Sequence, residues 1–163
     1  MKKNFLGRGS FFASVASVAI AGMLVLSSCD KDDDDKDVKS AKYTLSGTAS
    51  GAQEVPAVTT TASGTLTGSY DTVSKSLIYS ISWTGLSGDA TMAHFHGPAL
   101  AGEIAPPIET LTITTSGMAG TATDTITASA ALHSALMAGK VYYNVHTAAH
   151  PDGEIRSQVN VAQ

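Results

Sequence analysis

The chain has 163 residues, of which 43% are hydrophobic and 15% charged, and its formal net charge at pH 7 is −4. Residues 43–163 carry three basic side chains against eight acidic ones, and without a basic patch the chain is not expected to bind nucleic acid. The single cysteine excludes an intramolecular disulfide, so the fold must be stabilised by packing.

Residues 1–28 are predicted to be a lipoprotein signal peptide. Basic residues near the start precede an apolar run over residues 11–26, which is the order found in secretory signals. That run is shorter than the roughly 20 apolar residues that a transmembrane helix needs. Residues 26–29 resemble a bacterial lipobox, in which Cys29 is lipidated and becomes the first residue of the mature protein. We therefore expect a lipid anchor in the membrane, and the alternative is an ordinary signal peptide with an incidental cysteine.

Residues 29–42 are predicted to be a disordered linker that starts at the lipidated Cys29. Nearly every residue from 30 to 39 is aspartate or lysine, and so charged a segment cannot bury apolar surface. Acidic residues directly after a lipidated cysteine resemble the export signal of bacterial surface lipoproteins. The expected location is therefore the outer membrane, with the domain exposed at the cell surface. A periplasm-facing domain is the alternative.

Residues 43–163 are predicted to form one all-β domain, an antiparallel β-sandwich of the immunoglobulin-like or Greek-key type. Apolar and polar residues alternate over residues 76–83, the pattern of a half-buried strand. Similar alternation recurs over residues 43–49, 64–70, 111–113, 141–145 and 155–161. Seven or eight short strands at this spacing favour a sandwich. Residues 129–138 differ, because a serine start, Ala/Leu content and a following glycine predict one short helix.

Two polar clusters stand out, and each combines histidine with a later Gly-Glu-Ile. The first contains His94, His96 and Glu103, and the second contains Asn144, His146, Glu154 and Arg156. Strand alternation places both histidines of the first cluster on one face, opposite Phe95. These clusters are the candidate functional residues of the domain.

The second cluster is predicted to lie on a hairpin in which Val145 pairs with Ile155. This register keeps the apolar residues of both strands on one face, which is the condition that fixes it. The same register pairs Asn144 with Arg156, Tyr142 with Gln158 and His146 with Glu154. We therefore expect the polar residues of the hairpin to lie together on one surface, which the strand of the first cluster joins if it is adjacent.

Two roles are open for this surface. His94 and His96, with His146 as a third ligand, match the donors of zinc and copper sites. Alternatively, the site holds no cofactor, and the imidazoles and a polar network only stabilise the neighbouring loops. The predicted members of that network are Asn144, Glu154, Arg156 and Glu103. No nucleophile elbow or phosphate-binding loop accompanies these residues, so an enzyme is not expected.

Four motifs, in this order, resemble those of the CHRD domain, a family first recognised in chordin. They are GAQEVP at 51–56, AHFHGPA at 93–99, VYYNVHT at 141–147 and GEIRSQ at 153–158. The departures are Ala57 in place of a second proline, Phe95 in place of isoleucine and Ser157 in place of glycine. The resemblance spans residues 43–161. It implies an extracellular β-sandwich module but no particular activity. We expect a non-enzymatic binding or structural module, for which an extracellular protein or matrix is the candidate partner. The resemblance leaves the oligomeric state open.

Overall fold

The computed structural model describes residues 41–163. The predicted signal peptide over residues 1–28 lies outside the described residues, as do the predicted lipidation site at Cys29 and the linker as far as residue 40. The first strand begins at Lys42, one residue before the predicted start of the domain.

The described residues form ten strands and one α-helix. In chain order the strands are β1 (Lys42–Ser50), β2 (Ser63–Asp71), β3 (Ser76–Thr84), β4 (Ala90–His96), β5 (Pro107–Thr110), β6 (Ile113–Thr115), β7 (Gly120–Thr127), β8 (Tyr142–Thr147), β9 (Ile155–Gln158) and β10 (Asn160–Ala162). The helix α1 (Ala130–Met137) lies between β7 and β8, and a turn of 3-10 helix (Gly51–Gln53) follows β1. The prediction of an all-β domain with one short helix is confirmed.

All strand pairs are antiparallel and belong to one continuous sheet. Its order is β5-β4-β8-β9-β1-β2-β3-β7-β6, and β10 also pairs with β1. Strand β9 pairs with β8, whereas β10, which is separated from β9 by a single residue, pairs with β1. The two sheets expected of a sandwich are therefore two halves of a single sheet, joined through β9, which pairs with both β8 and β1.

The sheet curls so that its two halves enclose one core. Tyr79 of β3 contacts Phe95 of β4 edge-on, with ring centroids 5.6 Å apart, although these strands are far apart in the sheet order. Strands β1, β2 and β3 alternate buried and more exposed residues, as a sheet with one apolar face requires, whereas every residue of β8 is buried. Leu66, Ile81 and Ile155 add to the core and are at most 1% exposed.

Strand β7 is absent from the predicted set. It pairs with β3 along its whole length, yet half of its residues are threonine, and Ala122 is its only buried side chain. Alternation of large apolar residues therefore cannot reveal it. The strand predicted over residues 111–113 corresponds instead to the short junction between β5 and β6, where Leu111 is buried.

The helix has the predicted start and end. The Ser129 hydroxyl accepts a hydrogen bond from the Leu132 amide at 3.2 Å, which is the usual N-cap contact. Gly139 follows the helix with a φ of +67°, a conformation that glycine adopts without strain. No helix within residues 41–163 is both long and apolar enough to cross a membrane.

Candidate metal centre

Strand β4 holds two imidazoles on the face of the sheet opposite the core. Ala93 and Phe95 are fully buried, so alternation directs the intervening His94, and His96 after them, to the other face. The two rings lie 5.5 Å apart between centroids. Because Phe95 anchors the strand in the core, the spacing of the histidines is set by the fold itself.

Strand β8 brings the third imidazole beside them. Its hairpin with β9 has the predicted register, since Val145 pairs with Ile155 and Asn144 with Arg156. On its other side β8 pairs with β4, so the histidines of the two polar clusters share one surface. His146 Nε2 lies 3.0 Å from His94 Nδ1.

One nitrogen from each of His94, His96 and His146 lies within 4.8 Å of the other two. Backbone carbonyls orient two of these rings. His146 Nδ1 donates to the Pro151 oxygen at 2.8 Å, and His96 Nδ1 donates to the Ala105 oxygen at 2.9 Å. A proton held on Nδ1 leaves the Nε2 lone pair free, and metal-binding histidines are commonly fixed by such a contact.

His96 has one more acceptor than a neutral ring can satisfy. Its Nε2 lies 3.0 Å from Asn144 Oδ1, while its Nδ1 already faces the Ala105 carbonyl. A neutral imidazole carries a single N–H, so one of the two contacts lacks a proton. A metal ion on Nε2 removes this mismatch if the Asn144 amide turns aside, and on this ground the residues fit a bound ion.

Burial favours the neutral form of the three histidines. Burial, followed by the neighbouring charges of His146 and His96, lowers the pKa of His94 to about 4. Burial also lowers the pKa of His96 and of His146, although hydrogen bonds to backbone carbonyls raise both. Neutral imidazole is the form that binds a metal ion.

A groove of about 520 Å³ opens the three histidines to solvent. Apolar side chains form part of its wall, and Met92 and Ile104 are 47% and 72% exposed. Arg156 and Glu54 also line it. An ion therefore has a path to the imidazoles, and a fourth ligand has room to bind.

Arg156 and Tyr142 form a stack against one of the histidines. The Arg156 guanidinium lies 3.5 Å from the centroid of the Tyr142 ring, and that ring stacks on His96 at 4.7 Å. Arg156 is only 2% exposed, and one of its nitrogens donates to the Leu100 oxygen at 3.3 Å. Asn144 and Arg156 therefore lie beside the histidines, as the hairpin register predicted.

Glu154 and Glu103 lie elsewhere, which corrects the expectation of one shared network. Glu154 is fully buried, and its carboxylate accepts hydrogen bonds from Thr60, Ser87 and Thr147. Glu103 is exposed and accepts from the Leu100 amide in its own turn. Strand alternation fails at Glu154 because β9 begins one residue later, after the turn at Gly153.

Glu54 is a residue of the groove that the sequence analysis did not assign to the site. It is 8% exposed, and its Oε1 has no hydrogen-bond partner among residues 41–163. Burial raises the pKa of Glu54 to about 7, although the charge of Arg156 lowers it. Its carboxylate packs against Gly153, where a Cβ atom would collide with it. The GAQEVP and GEIRSQ motifs are the signal for this contact, since they contain both residues.

The fold and the site together define an extended antiparallel β-domain with an open three-histidine cluster. A protein-family model for the CHRD domain matches residues 45–159, so the chain belongs to the CHRD domain family. This membership indicates a binding or structural module. Searches of curated proteins and of solved structures gave no match.

Proposed function

We propose that the domain is a non-enzymatic module that binds a copper or zinc ion through His94, His96 and His146. The observation that carries this proposal is the convergence of three imidazole nitrogens within 4.8 Å. Three protein ligands with room for a fourth is a common arrangement for zinc, and imidazole suits both zinc and copper.

The surroundings of the histidines support the same conclusion. Carbonyl oxygens fix the tautomers of His96 and His146, and burial lowers the pKa of all three rings. Both effects favour the neutral imidazole that binds a metal ion. In this proposal the activity of the module is binding.

Replacing both His94 and His96 with alanine is expected to lower the affinity for Zn(II) and for copper by at least about 100-fold. Loss of a group that merely orients a ligand costs about 10–100-fold in affinity, and here two ligands are removed. The measurement is competition with a chromogenic chelator, using the purified full-length chain. Thermal unfolding provides a second readout, because an ion bound only by the folded state raises the melting temperature.

His150→Ala is the matched control, because His150 lies in the loop after β8 but outside the three-histidine cluster. This variant is expected to bind the ion as the wild type does. Equal affinity of the double variant and the wild type contradicts the proposal, as does a wild type that binds neither metal.

A purely structural role is the second candidate, and the direct contact of 3.0 Å between His94 and His146 favours it. In that case the imidazoles stabilise the junction of β4 and β8 without an ion. The wild type then binds no metal, and the double variant still unfolds at a lower temperature than the wild type and the His150 control.

We also propose that this module is held at the outer membrane by a lipid on Cys29, with its domain on the cell surface. The support is the lipobox-like sequence and the acidic residues behind it. The groove would then be presented to an extracellular protein or matrix partner.

A Cys29→Ala variant is expected to lose all incorporation of radiolabelled fatty acid and to disappear from the outer-membrane fraction. Intact cells that express the wild type should lose the domain on brief treatment with protease. Labelling of the variant contradicts lipidation at Cys29. A domain that protease reaches only after the outer membrane is opened contradicts surface display and supports the periplasm-facing alternative.

A further inference from the structure

Met92 is a fourth side chain that shares the surface of the three histidines. It lies two residues before His94 on β4 and pairs directly with His146 across to β8. Directly opposed residues of antiparallel strands have Cβ atoms about 4.5–5.5 Å apart. Met92 also lines the same groove as His94, His96 and His146.

Met92 does not contribute to the apolar core. Its neighbour Ala93 is fully buried, whereas Met92 is 47% exposed and lies on the face opposite the core. Methionine is unbranched and has a flexible thioether, so its sulfur can move toward the imidazoles from this position. A thioether is a soft ligand, and Cu(I) is one of the metal ions that soft ligands select.

The charges around the groove favour a monovalent ion over a divalent one. Three neutral imidazoles and a thioether bring no negative charge to the ion. The buried guanidinium of Arg156 already places a positive charge beside His96, because it lies over the Tyr142 ring that stacks on His96. The two carboxyl groups that line the groove, those of Glu54 and Asp152, do not belong to the three-histidine cluster.

We propose that the site is selective for Cu(I) and that the Met92 thioether is its fourth ligand. This inference rests on the proposed three-histidine site and adds one residue and one oxidation state to it. His94, His96 and His146 hold the ion, and Met92 completes a neutral, soft set of donors at the wall of the groove.

The test compares Cu(I) and Zn(II) affinities of the full-length wild type and of Met92→Leu. Leucine is similar to methionine in volume, and an exposed position tolerates the change. Cu(I) is titrated without oxygen against a chromogenic Cu(I) chelator, and Zn(II) against a zinc indicator. We expect the substitution to weaken Cu(I) binding by at least about tenfold and to change Zn(II) binding by less than about threefold, since zinc is not bound by thioethers.

Met118→Leu is the control, because Met118 is similarly exposed at 54% and does not line the groove. It is expected to change neither affinity. X-ray absorption at the copper edge should detect a sulfur neighbour of the ion in the wild type and in Met118→Leu, and none in Met92→Leu.

Three results overturn the inference. Unchanged Cu(I) affinity in Met92→Leu shows that the thioether is not a ligand. A wild type that binds Zn(II) more tightly than Cu(I) removes the selectivity and leaves the three-histidine site intact. A wild type that binds neither ion overturns the proposed function as well, so the two failures are distinguishable.

Discussion

Replacement of Glu154 with alanine is expected to lower the free energy of unfolding by about 4 kcal/mol. The carboxylate accepts from Thr60 at 3.0 Å, from the amide and hydroxyl of Ser87 at 2.9 and 2.6 Å, and from Thr147 at 2.8 Å. Alanine leaves these donors without an acceptor in a buried site, and each such donor costs about 1–3 kcal/mol before relaxation. Urea unfolding at pH 7 measures the loss.

Glu103→Ala is the control for this substitution, since both glutamates precede an isoleucine in a Gly-Glu-Ile sequence. Glu103 is exposed, and its loss is expected to change stability by no more than about 0.5 kcal/mol. Similar losses of unfolding free energy in the two variants would show that the buried hydrogen bonds of Glu154 stabilise the fold no more than the exposed contact of Glu103 does.

The stability conferred by Glu154 depends on pH in a definite direction. Burial raises the pKa of Glu154, but the hydrogen bonds from Ser87, Thr147 and Thr60 lower it further, and the result lies below the ordinary value of 4.5. A carboxyl group with a depressed pKa in the folded state stabilises the protein above its unfolded pKa. The difference between wild type and Glu154→Ala should therefore be constant above about pH 5.5 and shrink as the pH falls below 4.5.

Replacement of Phe95 with alanine is expected to cost about 3–5 kcal/mol of stability. The ring is fully buried and meets Tyr79 edge-on at 5.6 Å, so its removal opens a cavity between the two halves of the sheet. Because His94 and His96 flank it on the same strand, the variant should also bind metal less tightly. Urea unfolding and the chelator competition measure the two effects.

Phe95→Leu separates these effects, since it keeps most of the apolar volume. Leucine is expected to cost less than about 2 kcal/mol, because most of the lost contact is recovered by repacking. A Phe95→Ala variant as stable as Phe95→Leu would mean that this ring does not join the two halves of the sheet.

Glu103 and Glu154 illustrate how similar motifs acquire different roles. One lies in an exposed turn between β4 and β5, and its carboxylate caps the Leu100 amide. The other lies just before β9 and accepts hydrogen bonds from two loops and from the end of β8. Neither glutamate belongs to the three-histidine cluster, so the proposed ligands of the candidate centre carry no negative charge.

Strand periodicity was sufficient to predict the positions of the histidines. Alternation around Phe95 placed His94 and His96 on one face, and the apolar residues of the hairpin allowed a single register, in which Asn144 pairs with Arg156. These predictions succeeded because side chains in a paired strand must alternate, and a shift of one residue would expose the core. Strand β7 lacks an alternation of large apolar residues, so the same reasoning did not predict it.

Residue patterns alone were enough to predict the all-β class, the short helix and the hairpin that carries His146. Three further features became visible only in the folded chain: one continuous sheet encloses the core, Glu54 reaches the groove, and Glu154 is directed away from it. The physical reason is that alternation applies within paired strands. Glu54 follows a 3-10 turn and Glu154 precedes β9, so the direction of each side chain is set by contacts with residues distant in the chain.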